Sequence, residues 1–267
     1  MRPRPPRGAS VRRALQGRLV VVTGASRGIG AETARRLAAA GARLVLLART
    51  AADLDAVAEA IRDRGGEAHA LRVDLRDEAA VERVARRILD DIGVPDAVVS
   101  NAGHSIHRTL EEYADRAHDM TRVHGANLQG PVALLRVLMP AMHVAGGGAV
   151  VAVSSVSAVV PAAGWSAYGS SKAGADAWFL AVAQEYADVR VSIVRLPLVR
   201  TAMITATASY AAAAAMRPVD AAALIARAIV TGRRIIQPWW LTIAAVLLAA
   251  RPTALDRLLQ RHERRIR

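Results

Sequence analysis

The stretch Arg18-Leu19-Val20-Val21-Val22-Thr23-Gly24-Ala25-Ser26-Arg27-Gly28-Ile29-Gly30 decides the fold of this chain. Residues 18–24 form a short β-branched run that ends in glycine, which predicts a strand buried on both faces. Three glycines follow at the spacing Gly-x-x-x-Gly-x-Gly, and a helical pattern starts at Ile29. Such glycines let the backbone turn tightly and approach a pyrophosphate, whose charge the helix N-terminus meets. A glycine cluster alone is often only a turn, but its place after a buried strand favours nucleotide binding.

Strands and helices alternate along the rest of the chain. The patterns predict strands at 18–24, 44–48, 68–73, 97–100, 149–154, 190–195 and 235–237. They predict helices at 29–40, 53–64, 78–92, 167–186 and 220–231, with more than one helix inside 113–144. This alternation predicts right-handed β-α-β units, and therefore an α/β fold. We expect a single Rossmann-type, doubly wound parallel sheet flanked by helices, within one domain over residues 17–237.

The net charge of +13 is concentrated at the two ends of the 267-residue chain. Residues 1–18 hold six arginines and no acid, and residues 233–267 hold eight arginines and two acids, so each end carries +6. We expect residues 1–16 to be a disordered basic arm. The chain has only one Phe, four Trp and four Tyr, without the basic-aromatic interleaving that stacks bases, so no nucleic-acid partner is predicted. The absence of cysteine excludes disulfides and thiolate metal sites, and is compatible with a cytoplasmic location.

A second informative stretch is Ser166-Ala167-Tyr168-Gly169-Ser170-Ser171-Lys172. On a helix, Tyr168 and Lys172 lie on one face, one turn apart. Lys172 is the only lysine, since the other 35 of the 36 basic residues are arginine. This usage indicates that an ammonium is required here, because a guanidinium stays charged and is planar. The alternative is an amphipathic helix in which Tyr and Lys coincide.

The end of the second predicted strand should meet the adenosine ribose of a dinucleotide. NAD sites usually place an acid there to bind the 2′-hydroxyl. Here the strand ends Leu47-Ala48-Arg49-Thr50, and Arg27 lies in the first turn. Two guanidinium groups suit a 2′-phosphate, so NADP(H) is the predicted cofactor, with NAD(H) as the alternative. Solvated surface arginines are the other interpretation.

At this point the chain resembles the short-chain dehydrogenase/reductase family over about residues 17–235. The motifs that carry the resemblance occur in order: the Thr-Gly-x-x-x-Gly-Ile-Gly turn at 23–30, Asp74, Asn101-Ala102-Gly103, Asn127, Ser155, Tyr168 and Lys172. In isolation, a turn, a helix cap or a strand-end hydroxyl would explain most of these residues. The ordered set favours the functional interpretation.

The resemblance implies a catalytic set of four residues. Tyr168 would be the general acid in reduction and the base in oxidation, helped by a cation that favours its phenolate. Lys172 would supply that charge and bind the nicotinamide ribose. Ser155, thirteen residues before the tyrosine, would polarise the substrate carbonyl, and Asn127 would hold a water that relays the proton. The expected cofactor-binding residues are Gly24, Ser26, Arg27, Gly28, Ile29, Gly30, Arg49, Asp74, Leu75, Asn101, Ala102, Gly103, Tyr168, Lys172, Pro197 and Thr201.

The segment after the sixth predicted strand departs from the family pattern in two ways, which bear on the cofactor contact expected of Thr201. The Pro-Gly pair after the sixth strand is Pro197-Leu198, and Thr201 comes four residues after the proline where five is usual. The run Leu196–Met203, together with Gly103-His104-Ser105-Ile106, is similar to a subgroup linked to acyl-CoA reduction and other lipid substrates. His104 and His107 are interpreted as rim residues, because Tyr168 already fills the acid-base role.

These features predict an NAD(P)-dependent oxidoreductase that interconverts a carbonyl and an alcohol on a hydrophobic or lipid substrate. A steroid- or secondary-alcohol-type dehydrogenase of the same family is one alternative. A non-catalytic nucleotide-sensing protein is another, although the complete catalytic set argues against it. By analogy with the family we expect a homodimer or homotetramer, and we expect residues 203–217 to form a flap over the substrate.

The C-terminal tail, residues 238–267, is apolar and then amphipathic and basic. As a helix, Trp239–Ala250 would be about 18 Å long at ~1.5 Å per residue, which is short of the roughly 30 Å hydrocarbon core of a bilayer. The paired tryptophans and nearby arginines suit a peripheral anchor on the inner face of the cell membrane. A subunit interface or a cover for the substrate pocket are the alternatives.

Overall fold

A computed structural model describes residues 8–205 and 214–250. Its strands are β1 (Leu19–Thr23), β2 (Arg43–Ala48), β3 (Glu67–Arg72), β4 (Ala97–Ser100), β5 (Gly148–Ser155), β6 (Val189–Leu196) and β7 (Ile235–Ile236). Its α-helices are α1 (Gly8–Leu15), α2 (Gly28–Ala39), α3 (Ala51–Arg62), α4 (Glu78–Asp91), α5 (Ala117–His124), α6 (Gly130–Val144), α7 (Ser166–Glu185), α8 (Ala202–Thr205), α9 (Pro218–Thr231) and α10 (Trp239–Ala250). The predicted alternation of strands and helices is confirmed.

The seven strands form one parallel sheet in the order β3-β2-β1-β4-β5-β6-β7. The order reverses between β1 and β4, which opens a crevice at the carboxyl ends of these strands. Every residue of β1 is buried, as a parallel strand covered by helices on both faces requires. The prediction of a doubly wound parallel sheet is therefore confirmed.

Two apolar cores lie on the two faces of this sheet. Helices α2, α3 and α9 pack on one face, where Leu37, Leu54 and Ile225 are fully or almost fully buried. Helices α4, α6 and α7 cover the other face, with Leu134 and Phe179 in the second core. Because α7 is packed along its length, the residues near its N-terminus are held rigidly beside the crevice.

The N-terminal segment differs from the sequence-based expectation. A disordered arm was predicted over residues 1–16, but residues 8–15 form helix α1. Leu15 is 2% exposed in the first core, and Val11 packs against the same core. The disorder prediction is wrong for this helix, because apolar side chains four residues apart dock it on the body despite its arginines. Residues 1–7 lie outside the described residues.

The predicted helical region over 113–144 corresponds to four helical segments with three kinds of winding. A 3₁₀ turn covers Glu111–Tyr113, α5 follows, and a π-helical turn over Gly125–Gln129 leads directly into α6. The π turn shifts the register of the helix, so Asn127 is 2% exposed and points inward. Such turns are frequent at functional sites.

Candidate active site

A cavity of about 420 Å³ lies at the carboxyl ends of β1, β2 and β4. Among the predicted cofactor-binding residues, those that line it are Gly24, Ser26, Arg27, Gly28, Ile29, Arg49, Asp74, Leu75, Asn101, Ala102, Gly103 and Thr201. Gly30, Pro197, Tyr168 and Lys172 do not line it. Lys172 lies beside it, since a Cβ on Gly103 would be 3.5 Å from its Nζ atom. The cavity is therefore the nucleotide-sized part of the crevice, and Lys172 lies next to the part of it that Gly103 lines.

The glycine turn is locked to the loop that follows β4. Gly24 has φ +65°, and a Cβ there would lie 2.8 Å from the Cα of Ala102. The Thr23 hydroxyl accepts hydrogen bonds from the main-chain N–H groups of Asn101 and Ala102, both at 2.9 Å. The Asn101 amide in turn donates to the Thr23 carbonyl at 2.9 Å. Glycine is required because two backbone segments meet here at a positive φ angle.

The N-terminus of α2 opens on the cavity. Its N-cap residue, Arg27, makes no side-chain capping bond, and the first turn holds no acidic residue. By contrast, Asp77 caps α4 by accepting from the Ala80 N–H at 2.9 Å. The orphan N–H groups and positive end of α2 thus remain available to an anion, which fits the pyrophosphate of a dinucleotide.

Three arginines surround the far end of the cavity. Arg27, Arg49 and Arg76 all line it, and among the described residues that line it Asp74 is the only acid. Arg76 donates to Asp74 from Nη2 at 2.6 Å and from Nε at 3.0 Å, and this bond lowers the pKa of the Asp74 carboxyl. One carboxylate against three guanidiniums leaves a net positive site. Such a site fits the 2′-phosphate of NADP(H) better than a bare ribose hydroxyl.

Tyr168, Ser155 and Lys172 come together where α7 crosses the end of β5. The Tyr168 side chain is hydrogen-bonded to Ser155, whose Oγ also accepts from the Ser157 N–H at 3.1 Å. Lys172 is 7% exposed, and its Nζ donates to the Val153 carbonyl at 2.9 Å. The structure thus brings together three of the four predicted catalytic residues.

The pKa values of this group are governed by burial. Burial raises the pKa of Tyr168, and the Ser155 hydrogen bond lowers it only in part. Burial lowers the pKa of Lys172 to about 8, with the Asp176 carboxylate acting in the opposite direction. Desolvation therefore outweighs the Ser155 hydrogen bond in setting the pKa of Tyr168, and the lowering of that pKa by Lys172 stays a prediction.

Asn127, the fourth predicted catalytic residue, clamps the loop beneath the crevice. Its Oδ1 accepts from the His104 N–H at 2.7 Å, and its Nδ2 donates to the His104 carbonyl at 2.9 Å and to Ser171 Oγ at 2.8 Å. The Ser171 hydroxyl donates onward to the Tyr168 carbonyl at 2.7 Å. Both amide donors of Asn127 are therefore in use. A water relay, which stays a prediction, would have to use the second lone pair of Oδ1.

His104, Thr201 and Pro197 lie at different depths around the site. His104 lines the cavity, and burial, followed by the charge of Arg122, lowers its pKa and favours the neutral ring. Thr201 also lines the cavity, with its Cγ2 3.2 Å from where a Cβ on Gly28 would be. Pro197 is half-buried after β6, outside the cavity. His107 packs edge-on against Trp165 at 5.1 Å, as expected for a rim residue.

Two charged groups near the site, Arg76 and Asp176, were not predicted from the sequence. Arg76 lies two residues after Asp74, and only the structure places it in the cavity wall. Asp176, one turn beyond Lys172, is 4% exposed and accepts from Arg195 Nε at 2.8 Å. A buried acid four residues after a buried lysine is a signal that the sequence contained.

Comparison with known proteins agrees with this geometry. Residues 18–211 match the family model for short chain dehydrogenases. An uncharacterized oxidoreductase of Mycobacterium tuberculosis is 39% identical over 260 residues, covering 95% of this chain and 76% of that protein. A fatty acyl-CoA reductase of Acinetobacter baylyi is 38% identical over 224 residues, covering 83% of this chain and 76% of that protein.

A solved structure agrees as well. The crystal structure of a metagenomic short-chain oxidoreductase in complex with NADP is 33% identical, covers 84% of this chain and 96% of that one, and has a TM-score of 0.72. The parallel sheet, the glycine turn, the tyrosine–lysine helix and these relatives lead to one conclusion. The chain belongs to the short-chain dehydrogenase/reductase family of oxidoreductases.

Proposed function

We propose that this protein transfers hydride between NADP(H) and a carbonyl or alcohol carried on a hydrophobic, lipid-like substrate. The observation that carries this proposal is the hydrogen-bonded Tyr168–Ser155 pair, one helical turn from buried Lys172, whose Nζ lies beside the Gly103 wall of a nucleotide-sized cavity. When bound, the nicotinamide supplies or accepts the hydride. The chain's own groups bind, orient and move the proton.

The proton step falls to Tyr168. In reduction its hydroxyl protonates the oxygen of the carbonyl, and the raised pKa keeps that proton on the tyrosine until it is needed. The Ser155 hydroxyl, already hydrogen-bonded to Tyr168, can donate to the same substrate oxygen and polarise it. Lys172, fixed by the Val153 carbonyl, places an ammonium where it stabilises the phenolate left behind.

NADP(H) is the cofactor that the adenosine end of the cavity fits. No acid follows β2 in the position that would bind a ribose 2′-hydroxyl, and Arg27, Arg49 and Arg76 line that end. The related metagenomic oxidoreductase was solved with NADP. Both observations support NADP(H) over NAD(H).

The proposal of a lipid-like substrate rests on the lining near Tyr168 and on one relative. Tyr168 packs in a small apolar cluster with Ile106, Tyr113, Val123 and Ala167. The Acinetobacter relative is named as a fatty acyl-CoA reductase. A long-chain acyl-CoA, or the aldehyde derived from it, is the substrate class that we propose to test first. Residues 206–213 of the predicted flap lie outside the described residues.

Activity assays and cofactor titration test the function together. In the reductive direction, the loss of NADPH absorbance is followed with long-chain acyl-CoAs, aldehydes and ketones. In the oxidative direction, secondary alcohols are supplied with NADP and the gain of NADPH absorbance is followed. Tyr168→Phe should lower kcat on the best substrate by roughly 10²- to 10⁴-fold, the usual contribution of general acid-base catalysis. Its NADPH dissociation constant, from fluorescence titration, should stay within about twofold because the removed hydroxyl mainly moves a proton.

Tyr186→Phe is the matched control, because Tyr186 lies at the far end of α7 and packs on His143. It should keep full activity. A Tyr168→Phe protein as active as the parent would sink the mechanism. Tight NADPH binding without turnover on any substrate would favour a nucleotide-sensing role, and exclusive activity on steroids or secondary alcohols would replace the acyl proposal.

We further propose that the protein acts in the cytoplasm as a homodimer or homotetramer. Helices α6 and α7 carry a surface depression lined by Leu135, Met139, Trp178 and Val182, which supports assembly through these helices. Sedimentation velocity measures the assembly state directly. A monomer at all concentrations would refute it.

A further inference from the structure

Helix α10 presents a set of large apolar side chains to solvent. Trp239 is 75% exposed, Val246 63%, and Ile243 and Leu247 each 51%. The neighbouring Trp240 is 41% exposed. Soluble surfaces rarely expose a contiguous apolar patch of this kind unless something binds it.

These five side chains lie on one side of the helix. At 3.6 residues per turn, positions 239, 240, 243, 246 and 247 fall within an arc of about 120°. Leu241, which is fully buried, points the opposite way and packs on the body. The exposed residues therefore form one stripe directed away from the protein, which we call the α10 outer face.

The start of α10 is tied to the catalytic helix. The Gln237 side chain donates to Thr242 Oγ1 at 2.9 Å and accepts from Arg195 Nη1 at 2.9 Å. Arg195 in turn bonds Asp176 on α7, one turn beyond Lys172. The α10 outer face consequently has a fixed orientation relative to the active site.

The charge around α10 has a single sign. Arg233 and Arg234 are exposed immediately before it, and residues 232–250 hold no acid. The whole segment 233–267 carries eight arginines against two acids. A second copy of the chain on this face would bring like charges together, whereas anionic lipid headgroups complement them.

The described length of α10 is shorter than the hydrocarbon core of a bilayer. It has 12 residues, about 18 Å at ~1.5 Å per residue, which is shorter than the roughly 30 Å hydrocarbon core. Among the described residues, no helix combines the length and apolarity needed to cross a bilayer. A helix of this length with an apolar stripe, paired tryptophans and flanking arginines suits the plane of the membrane interface.

We propose that the α10 outer face binds the surface of an anionic lipid bilayer and holds the enzyme there. The helix lies in the interface with Trp239, Trp240, Ile243, Val246 and Leu247 inserted among the acyl chains. Arg233 and Arg234 lie at the headgroup level, where their charges meet lipid phosphates. This inference stands on the surface alone and does not depend on the proposed reaction.

Vesicle co-sedimentation of the full-length chain tests the proposal. Sucrose-loaded vesicles of phosphatidylcholine alone are compared with vesicles that contain roughly 30% phosphatidylglycerol. We expect binding at least about tenfold stronger to the anionic vesicles, weakened by salt, because both apolar insertion and charge contribute. Tryptophan emission should shift to the blue on binding.

The decisive variant is Ile243→Glu/Leu247→Glu, which places two carboxylates on the α10 outer face. It should lose anionic-vesicle binding by about tenfold or more. The matched control is Leu110→Glu/Val144→Glu, at apolar residues 86% and 87% exposed elsewhere on the body. The control has the same change in charge and should bind vesicles almost as the parent does. NADPH titration verifies that both variants are folded.

Several results would overturn the proposal. They are full-length protein that stays in the supernatant with both vesicles, that binds both equally, or that binds unchanged after the Ile243→Glu/Leu247→Glu change. Sedimentation velocity gives a further outcome. Self-association that this variant abolishes, without any vesicle binding, would assign the α10 outer face to a second copy of the chain instead.

Discussion

At the scale of single residues, Lys172 lies in a buried position where the loss of solvent disfavours its charged form. It is the only lysine, it is 7% exposed, and burial lowers its pKa to about 8. The Asp176 carboxylate on the same helix is the group that counteracts this loss. Asp176 thus acts as a positioning residue: it touches no substrate but keeps the ammonium charged near neutral pH.

Asp176→Asn should move the alkaline limb of the kcat/KM–pH profile to lower pH. Without the carboxylate, burial acts unopposed and Arg195 is left as an uncompensated positive charge, so the pKa of Lys172 falls further below about 8. Near pH 8 the variant should lose activity that returns as the pH is lowered. Asp188→Asn, on an exposed carboxylate bonded to His143, is the control. An unshifted profile would remove Asp176 from this role.

Arg49 should decide cofactor preference. A charge-assisted hydrogen bond contributes about 1.5–3 kcal/mol, so Arg49→Ser should lower kcat/KM with NADPH roughly 10- to 100-fold. With NADH, which has no 2′-phosphate, the change should stay within about threefold by the same reasoning. Arg87→Ser, which removes an exposed arginine paired with Asp91, supplies the control. Equal losses with both cofactors would contradict a phosphate contact.

The sequence identified the residues of the site better than it identified their partners. Ordered motifs located Tyr168, Ser155 and Lys172, because these residues have a recognisable spacing along the sequence. The pairing of Arg76 with Asp74 depends on side-chain direction in the loop after β3, and that of Asp176 with Arg195 depends on how α7 packs on β6, so the sequence pattern alone gives neither pair.

At the scale of elements, the junction between β1 and α2 is packed so tightly that Gly30 has no room for a side chain. A Cβ on Gly30 would clash with the Gly24 carbonyl and lie 2.6 Å from the Asn101 amide. Gly24 and Asn101 also shape the phosphate-binding turn. Gly30 therefore affects both the packing of α2 and the shape of the cofactor site.

Gly30→Ala should therefore weaken NADPH binding by at least about tenfold and lower the free energy of unfolding by roughly 1–3 kcal/mol, as overpacking typically does. Gly174→Ala makes the same change inside α7, where the nearest side-chain atom is 3.4 Å away, and it should be neutral or stabilising. Fluorescence titration and chemical denaturation measure both quantities. Wild-type affinity in the Gly30 variant would refute the packing argument.

Two elements were beyond sequence reasoning for different physical reasons. Helix α1 is short and rich in arginine, and it is stabilised by docking Leu15 in a core that the local sequence does not reveal. The π turn that carries Asn127 has no compositional signal, because one extra residue per turn changes hydrogen bonding and not residue preference. The strands, by contrast, were predictable because burial on both faces selects β-branched runs.

At the scale of the whole molecule, the cofactor cavity joins the two halves of the sheet. Its walls come from the β1–β3 half and from the loop after β4. A ligand that contacts both halves binds only the folded chain, so it stabilises the complete molecule and not one part.

NADPH at about 100 times its dissociation constant should add about 2.7 kcal/mol to the free energy of unfolding. For a chain of this size that is a rise in Tm of roughly 5–10 °C. Thermal unfolding should show one transition that moves as a unit. Arg49→Ser at the same NADPH concentration should show a smaller rise, and a shift confined to one of two separate transitions would argue that the halves unfold independently.

The strand order has a consequence for the order of synthesis. The glycine turn leaves the ribosome about 140 residues before Lys172, on the order of 10 s earlier at 5–20 residues per second. In the first part of that interval β1 has β2 beside it but not yet β4 and β5, which are synthesised later, so the early nascent chain has a phosphate-binding turn without the strands that complete its crevice. Cofactor binding and catalytic competence are therefore acquired late and together, once β5 and α7 have docked.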